Sequence, residues 1–251
     1  MDDRLKPLEI AKNLYREKYS DADCFLLCGS TVRGDDTPYS DLDIVILYKS
    51  LKNAKRESFV YKRWPIEVFV HDLETLNYFF EKVDGPSNCP SLPQMVREGI
   101  LISKESKFSE NVKKLANTFL DEGPQKTDSV GINKLRYAIT DLVDDIRNPR
   151  NSNELMATGG KLLEVLSEFL FKVNGSWSGK GKWCSRELKN INQQLEKDFF
   201  RAFDLLFSAK DPSATISLCE KVLLPHGGFL FNGFCLDAPS SWKLPIKKLT
   251  D

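Results

Sequence analysis

Two aspartates spaced two apart, Asp41 and Asp43, stand at the entry to the apolar run Leu42-Asp43-Ile44-Val45-Ile46-Leu47-Tyr48. The run is β-branched and aromatic enough to be a strand, where alternate side chains share a face, so the two carboxylates project side by side. Adjacent like charges at a strand mouth repel unless a cation sits between them. Hard carboxylate oxygens suit Mg²⁺, which takes further oxygens from substrate phosphates. Upstream, the apolar stretch Asp23–Cys28 runs into Gly29-Ser30-Thr31-Val32-Arg33-Gly34. With no Cβ at Gly29, main-chain N–H groups and the Ser30 hydroxyl can approach a phosphate closely. Two-metal phosphoryl chemistry gathers carboxylates from more than one strand around ions roughly 3.5–4 Å apart. Glu67 is the candidate third acid. In Ile66-Glu67-Val68-Phe69-Val70 the residues Ile66, Val68 and Val70 form one apolar face, and Glu67 shares the other with Phe69 and His71. The order of these pieces reads as a metal-dependent nucleotidyl-transfer site.

The same residues resemble the polymerase-β-like nucleotidyltransferases, whose motif of Gly-Ser, a further Gly, Asp-x-Asp and a later strand acid reads here Gly29-Ser30, Gly34, Asp41-x-Asp43 and Glu67. Over roughly residues 20–72 the layout is most similar to the bacterial two-domain spectinomycin/streptomycin adenylyltransferases. The resemblance implies that Asp41 and Asp43 bind Mg²⁺, as two ions, with ATP or another NTP as co-substrate. It implies that Glu67 serves as general base or third metal ligand, and that Gly29, Ser30 and Ser40 bind nucleotide. Glu67-Val68-Phe69-Val70-His71-Asp72 differs by one residue in spacing from the family's Glu-Val-x-x-x-His-Asp. An α+β fold follows: an N-terminal mixed sheet with flanking helices (1–105), then a helical bundle (106–251) that binds acceptor and clamps nucleotide.

The elements that must position these residues are legible in outline. Leu8, Ala11, Leu14 and Tyr15 recur at helical spacing, predicting an opening amphipathic helix. Strands are expected near 23–28, 42–48, 57–62, 66–71 and 100–103. Asp72 is placed to cap a helix through Phe79, 84–90 reads as a loop, and a short helix is expected over 94–98. Beyond the boundary the pattern is helical: 108–120, 129–146, 154–173, 184–195, 199–209 and 213–223. Leu155, Leu162, Leu166, Phe169, Leu170 and Val173 form a stripe that packs helices and implies no cofactor.

Two features of the bundle bear on ligands. Asn174-Gly175-Ser176-Trp177-Ser178-Gly179-Lys180-Gly181-Lys182-Trp183 leads into a helix carrying Arg186. Cations at a helix start face the positive end of its dipole unless an anion is shared between them. Lys180, Lys182 and Arg186 are therefore candidates to clamp a triphosphate, against the alternative of a solvated loop. Asp141, Asp144 and Asp145 fall on one helical face. They are either solvated or, for Asp141 and Asp145 in particular, the binding site of a cationic acceptor such as an aminoglycoside.

The 251 residues carry 36 basic and 36 acidic side chains, and that balance disfavours a long nucleic-acid track. The N-terminus lacks a secretory pattern and no apolar run approaches a membrane span, so a cytoplasmic, membrane-free protein is expected. Six cysteines include no Cys-x-x-Cys pair, and two histidines cannot build a zinc cluster without cysteines at suitable spacing. The expected partners are a nucleoside triphosphate and a small-molecule acceptor. A regulatory or toxin–antitoxin nucleotidyltransferase acting on a protein or an RNA end is the alternative. The oligomeric state is open.

Overall fold

The structure, a computed structural model, describes residues 6–243 and is α+β. The chain divides into two compact units, Met1–Lys126 with Gly175–Trp183, and Thr127–Asn174 with Cys184–Asp251.

The first unit is built on a five-stranded mixed sheet. Its strands are β1 (Cys24–Cys28), β2 (Leu42–Leu47), β3 (Lys55–Tyr61), β4 (Trp64–His71) and β5 (Ile100–Leu101), in the order β3-β4-β2-β1-β5. Only β2 and β4 run parallel; the other neighbours are antiparallel. Both faces are covered, so the central strands are apolar on both sides, as buried strands must be. Helix α1 (Pro7–Lys18) starts with proline at its first position, where the missing N–H costs nothing. It buries Ile10, Ala11 and Leu14 against Phe25, Leu27, Ile44, Ile46 and Val68. The short α2 (Ser30–Arg33) follows β1 directly.

The other face packs under α3 (Leu73–Phe79), a π-turn over Phe80–Asp84, α4 (Gly85–Ser87), α5 (Ser91–Glu98) and α6 (Lys107–Glu122). These elements contribute Leu76, Phe80, Met95, Val96 and Val112 to a core with Leu26, Val45 and Leu47. Asp72 caps α3 as its position suggests: Oδ1 accepts from Thr75 N at 2.9 Å, and Thr75 Oγ1 returns to the Asp72 backbone. Oδ2 accepts from Leu51 N at 2.9 Å, so the same carboxylate fixes the loop after β2. The stretch read as a loop over 84–90 is helical through Ser87, because the π-turn and Pro86 at the second position of α4 prolong α3.

The second unit is helical: α7 (Ser129–Arg147), α8 (Ser152–Val173), α9 (Trp183–Ile191), α10 (Gln193–Ser208) and α11 (Ser213–Leu223). Leu162, Leu166, Phe169, Phe199, Phe203 and Leu218 share its core. The helix expected over 184–195 ends at Ile191. Asn192 accepts from Gln194 N and Leu195 N through its side chain and so starts α10 instead of continuing α9.

The first unit runs past the boundary expected at residue 105. It keeps α6 and takes in 175–183, a segment expected in the bundle. Ser178 N donates to Asn88 O at 2.7 Å, Trp177 Nε1 donates to Leu120 O at 3.2 Å, and the Trp177 ring stacks on Phe119. Among the described residues no helix is long and apolar enough to cross a membrane.

Candidate active site

The sheet register builds the site. Cys28 on β1 pairs with Asp43 on β2, Asp43 with Glu67 on β4, and Glu67 with Ser58 on β3, a single row across four strands. Cross-strand partners on one face stand about 4.5–5.5 Å apart at Cβ. Asp41, exposed just before β2, completes the group, and one carboxylate oxygen from each of Asp41, Asp43 and Glu67 lies within 4.8 Å of the others. Cys28 adds no soft ligand: burial keeps its thiol well above the usual range and protonated. The set is therefore all oxygen, which suits a hard divalent cation and not zinc.

Electrostatics point the same way. Burial, then repulsion from Asp41 and Glu67, pushes Asp43 up to about 6, with Lys182 and Arg33 partly opposing. A cation among the three acids would remove that penalty. Gly29 is what allows the approach. Its φ of +78° suits glycine, and a Cβ there would lie 2.1 Å from Asp43 Oδ2. Gly34 ends α2 in the left-handed conformation, its N–H bonded to Ser30 O.

Glu67 has partners that the motif does not reveal. Arg56 on β3 donates to Oε2 at 2.7 Å and stacks its guanidinium over Phe69 with 5.0 Å to the centroid, and Ser58 Oγ donates to Oε1 at 3.1 Å. Counting back through the two-residue hairpin loop Lys62-Arg63, both at positive φ, puts Ser58 opposite Glu67. Lys-Arg lacks the Asn-Gly or Asp-Gly signature of such turns, so the register was hidden.

A cavity of about 580 Å³ opens on this row. Its lining includes Gly29, Ser30, Arg33, Asp43, Glu67 and Lys182, together with Lys55, Arg56, Phe69, Phe79, Asp84, Leu92 and Met95. Lys182 is exposed and belongs to the first unit with the acids. Arg33, which the motif contains but spacing did not single out, bonds Glu98 Oε2 at 2.8 Å and lies 4.8 Å from the Trp183 ring centroid. Ser40 closes the turn before Asp41 by accepting from Thr37 N at 2.9 Å. Arg186 lies on α9 in the second unit. Asp141, Asp144 and Asp145 are exposed on α7, Asp144 paired with Arg147 at 3.3 Å.

Residues 16–82 match the family model of the nucleotidyltransferase domain, a stretch that contains β1–β4 and all three acids. The match marks residues 16–82 as a nucleotidyltransferase domain. A solved structure described as a nucleotidyltransferase-like protein from Exiguobacterium sibiricum 255-15 is 11% identical, with a TM-score of 0.44, over 85% of this chain and 74% of its own. No curated protein matches the chain.

Proposed function

We propose that the protein transfers a nucleoside monophosphate, AMP from ATP, to a hydroxyl of a small molecule with release of pyrophosphate, and that Asp41 and Asp43 would hold Mg²⁺ with Glu67 as base or third ligand. The observation that carries the reading is the convergence of three carboxylates, one at elevated pKa, beside a glycine whose Cβ would strike one of them. Two Mg²⁺ ions at these acids would neutralise charge on the entering and leaving oxygens of an in-line displacement at the α-phosphorus.

The chain's own residues divide the remaining work. Gly29 and Ser30 offer main-chain N–H and hydroxyl donors to phosphate oxygens, and Lys182 and Arg33 supply positive charge at the same cavity. Arg186 is proposed as a further nucleotide contact and Ser40 as support for the turn that presents Asp41. Glu67 receives the acceptor's proton or completes the metal cage, and Arg56 and Ser58 fix its orientation. Positioning of this kind supplies most of the catalysis in phosphoryl-type transfer. A second reading assigns the exposed Asp141 and Asp145 to a cationic acceptor such as an aminoglycoside, with a purely solvated face as its alternative.

The test is incubation with each α-labelled NTP, Mg²⁺ and an acceptor panel of aminoglycosides, lincosamides, tRNA and protein. Label from ATP on a small molecule is expected. Label only on tRNA or protein would overturn the small-molecule assignment in favour of a regulatory or toxin–antitoxin role.

A further inference from the structure

The cavity holds one acid that the proposed transfer leaves unused. Asp84, at the end of the π-turn, is 9% exposed and lines the same cavity as Phe79, Leu92 and Met95. Its Oδ2 accepts from Leu92 N at 3.0 Å, an N–H of the first turn of α5. Among the described residues Oδ1 makes no hydrogen bond, and no Lys, Arg or His pairs with the carboxylate. Glu67 in the same cavity differs: it is bonded through both oxygens and ion-paired to Arg56.

A carboxylate buried without a cation is costly, and a single neutral donor offsets only part of that cost. Phe79, Val83, Leu92 and Met95 give the same cavity an aromatic and aliphatic part, and Lys55 and Arg56 line it as well. Phe69 lies two residues along β4 from Glu67 on the same face, about 6.6 Å at 3.3 Å per residue. His71 follows, with its ring edge against Phe79 at 4.9 Å. Burial lowers His71 to about 4, so it is neutral near pH 7 and neither pairs with Asp84 nor repels a cation. The groups suited to phosphate, namely Gly29, Ser30, Arg33 and Lys182, sit on other elements, α2 and the 175–183 segment.

We infer that Asp84 is the residue that recognises the acceptor, and that the acceptor carries an ammonium group on a largely apolar body. The body lies against Phe79, Leu92 and Met95, the ammonium pairs with Asp84, and the attacking hydroxyl is left to the acids. This inference rests on the proposed nucleotidyl transfer for the identity of the other ligand. It names a different acceptor chemistry from a polycationic sugar held by Asp141 and Asp145.

The test uses the full chain and a matched pair of probes, 2-phenylethylamine and 2-phenylethanol, titrated by ligand-observed NMR at pH 8 beside a Mg·ATP titration. A charge-assisted contact predicts that the wild type binds the amine about tenfold more tightly than the alcohol. Asp84→Asn keeps an oxygen for Leu92 N and should erase that preference while leaving Mg·ATP affinity unchanged. Val83→Lys keeps Asp84 and its bond to Leu92, sets an ammonium beside the carboxylate, and should erase the preference equally. No preference in the wild type, or an unchanged preference in both variants, overturns the inference. Weakened Mg·ATP binding in Asp84→Asn also overturns it, since the residue would then face the nucleotide. Failure of the wild type to bind Mg·ATP strikes the nucleotidyl-transfer proposal instead, so the two fail separately.

Discussion

Asp43 is the residue at which stability and function conflict. Its folded pKa of about 6 lies above the ordinary carboxylate value, so the folded protein binds the proton more tightly than the unfolded chain. Stability linked to this group is full below about pH 4 and is lost as pH rises through about 6. In metal-free buffer at pH 8, Asp43→Asn should therefore raise the melting temperature, by about 2–6 °C for a gain of about 1–2 kcal/mol, and the gain should vanish at pH 4. Differential scanning calorimetry at the two pH values checks it; a lower melting temperature at pH 8 would show that the ionised carboxylate is stabilised by something other than a cation. At Glu67 the expectation concerns rate. Glu67→Gln should lower the single-turnover rate by about 10²–10⁴ while changing ATP affinity far less, because a base acts in the transition state. Equal loss of ATP affinity would mark Glu67 as a metal ligand. The acids themselves were legible from Asp-x-Asp spacing and one acid amid apolar residues. Arg56, Ser58 and Asp84 were not, because their roles depend on hairpin register and on a π-turn that carry no local signature.

At the scale of elements, the strand–turn–strand unit from β1 to β2 is what brings a backbone against a carboxylate. Gly29→Ala places a Cβ 2.1 Å from Asp43 Oδ2 and forces a side chain to φ +78°. We expect a loss of at least about 1–2 kcal/mol and a larger loss of activity, since Asp43 must move. Circular dichroism melts beside the transfer assay would show this; a fully active variant would mean that the close approach is dispensable. The segment 175–183 makes a second case. Its composition suggested ligand contact, and long-range bonds to Asn88 and Leu120, invisible to periodicity, attach it to the sheet unit. Lys182→Ala should weaken ATP binding by about tenfold and AMP binding little, because the proposed contact is to outer phosphates. Titration of both nucleotides by calorimetry decides it, and equal weakening would place Lys182 elsewhere on the nucleotide. The break at Asn192 was missed for a related reason: an Asn inside an amphipathic pattern is read as surface until its cap bonds are seen.

For the whole molecule, the change from strand-like to helical patterning near residue 105 marked two kinds of architecture, and the two compact units follow it only in part. α6 is amphipathic like a bundle helix, yet Val112 and Ala116 belong to the core over β1 and β2, a tertiary choice that sequence period cannot express. The balance of 36 basic and 36 acidic residues leaves no global field to gather a polyanion, so recognition of a triphosphate has to come from local groups. That requirement makes the divalent cation central. Its most direct test is isothermal titration of ATP into the wild type and into Asp43→Asn, each with Mg²⁺ and with EDTA. The wild type should bind ATP with Mg²⁺ and lose at least about tenfold in affinity with EDTA, while Asp43→Asn should bind weakly and equally in both. Tight ATP binding by both proteins that does not change between Mg²⁺ and EDTA would contradict the assignment of Asp41, Asp43 and Glu67 as a metal-dependent nucleotidyl-transfer site.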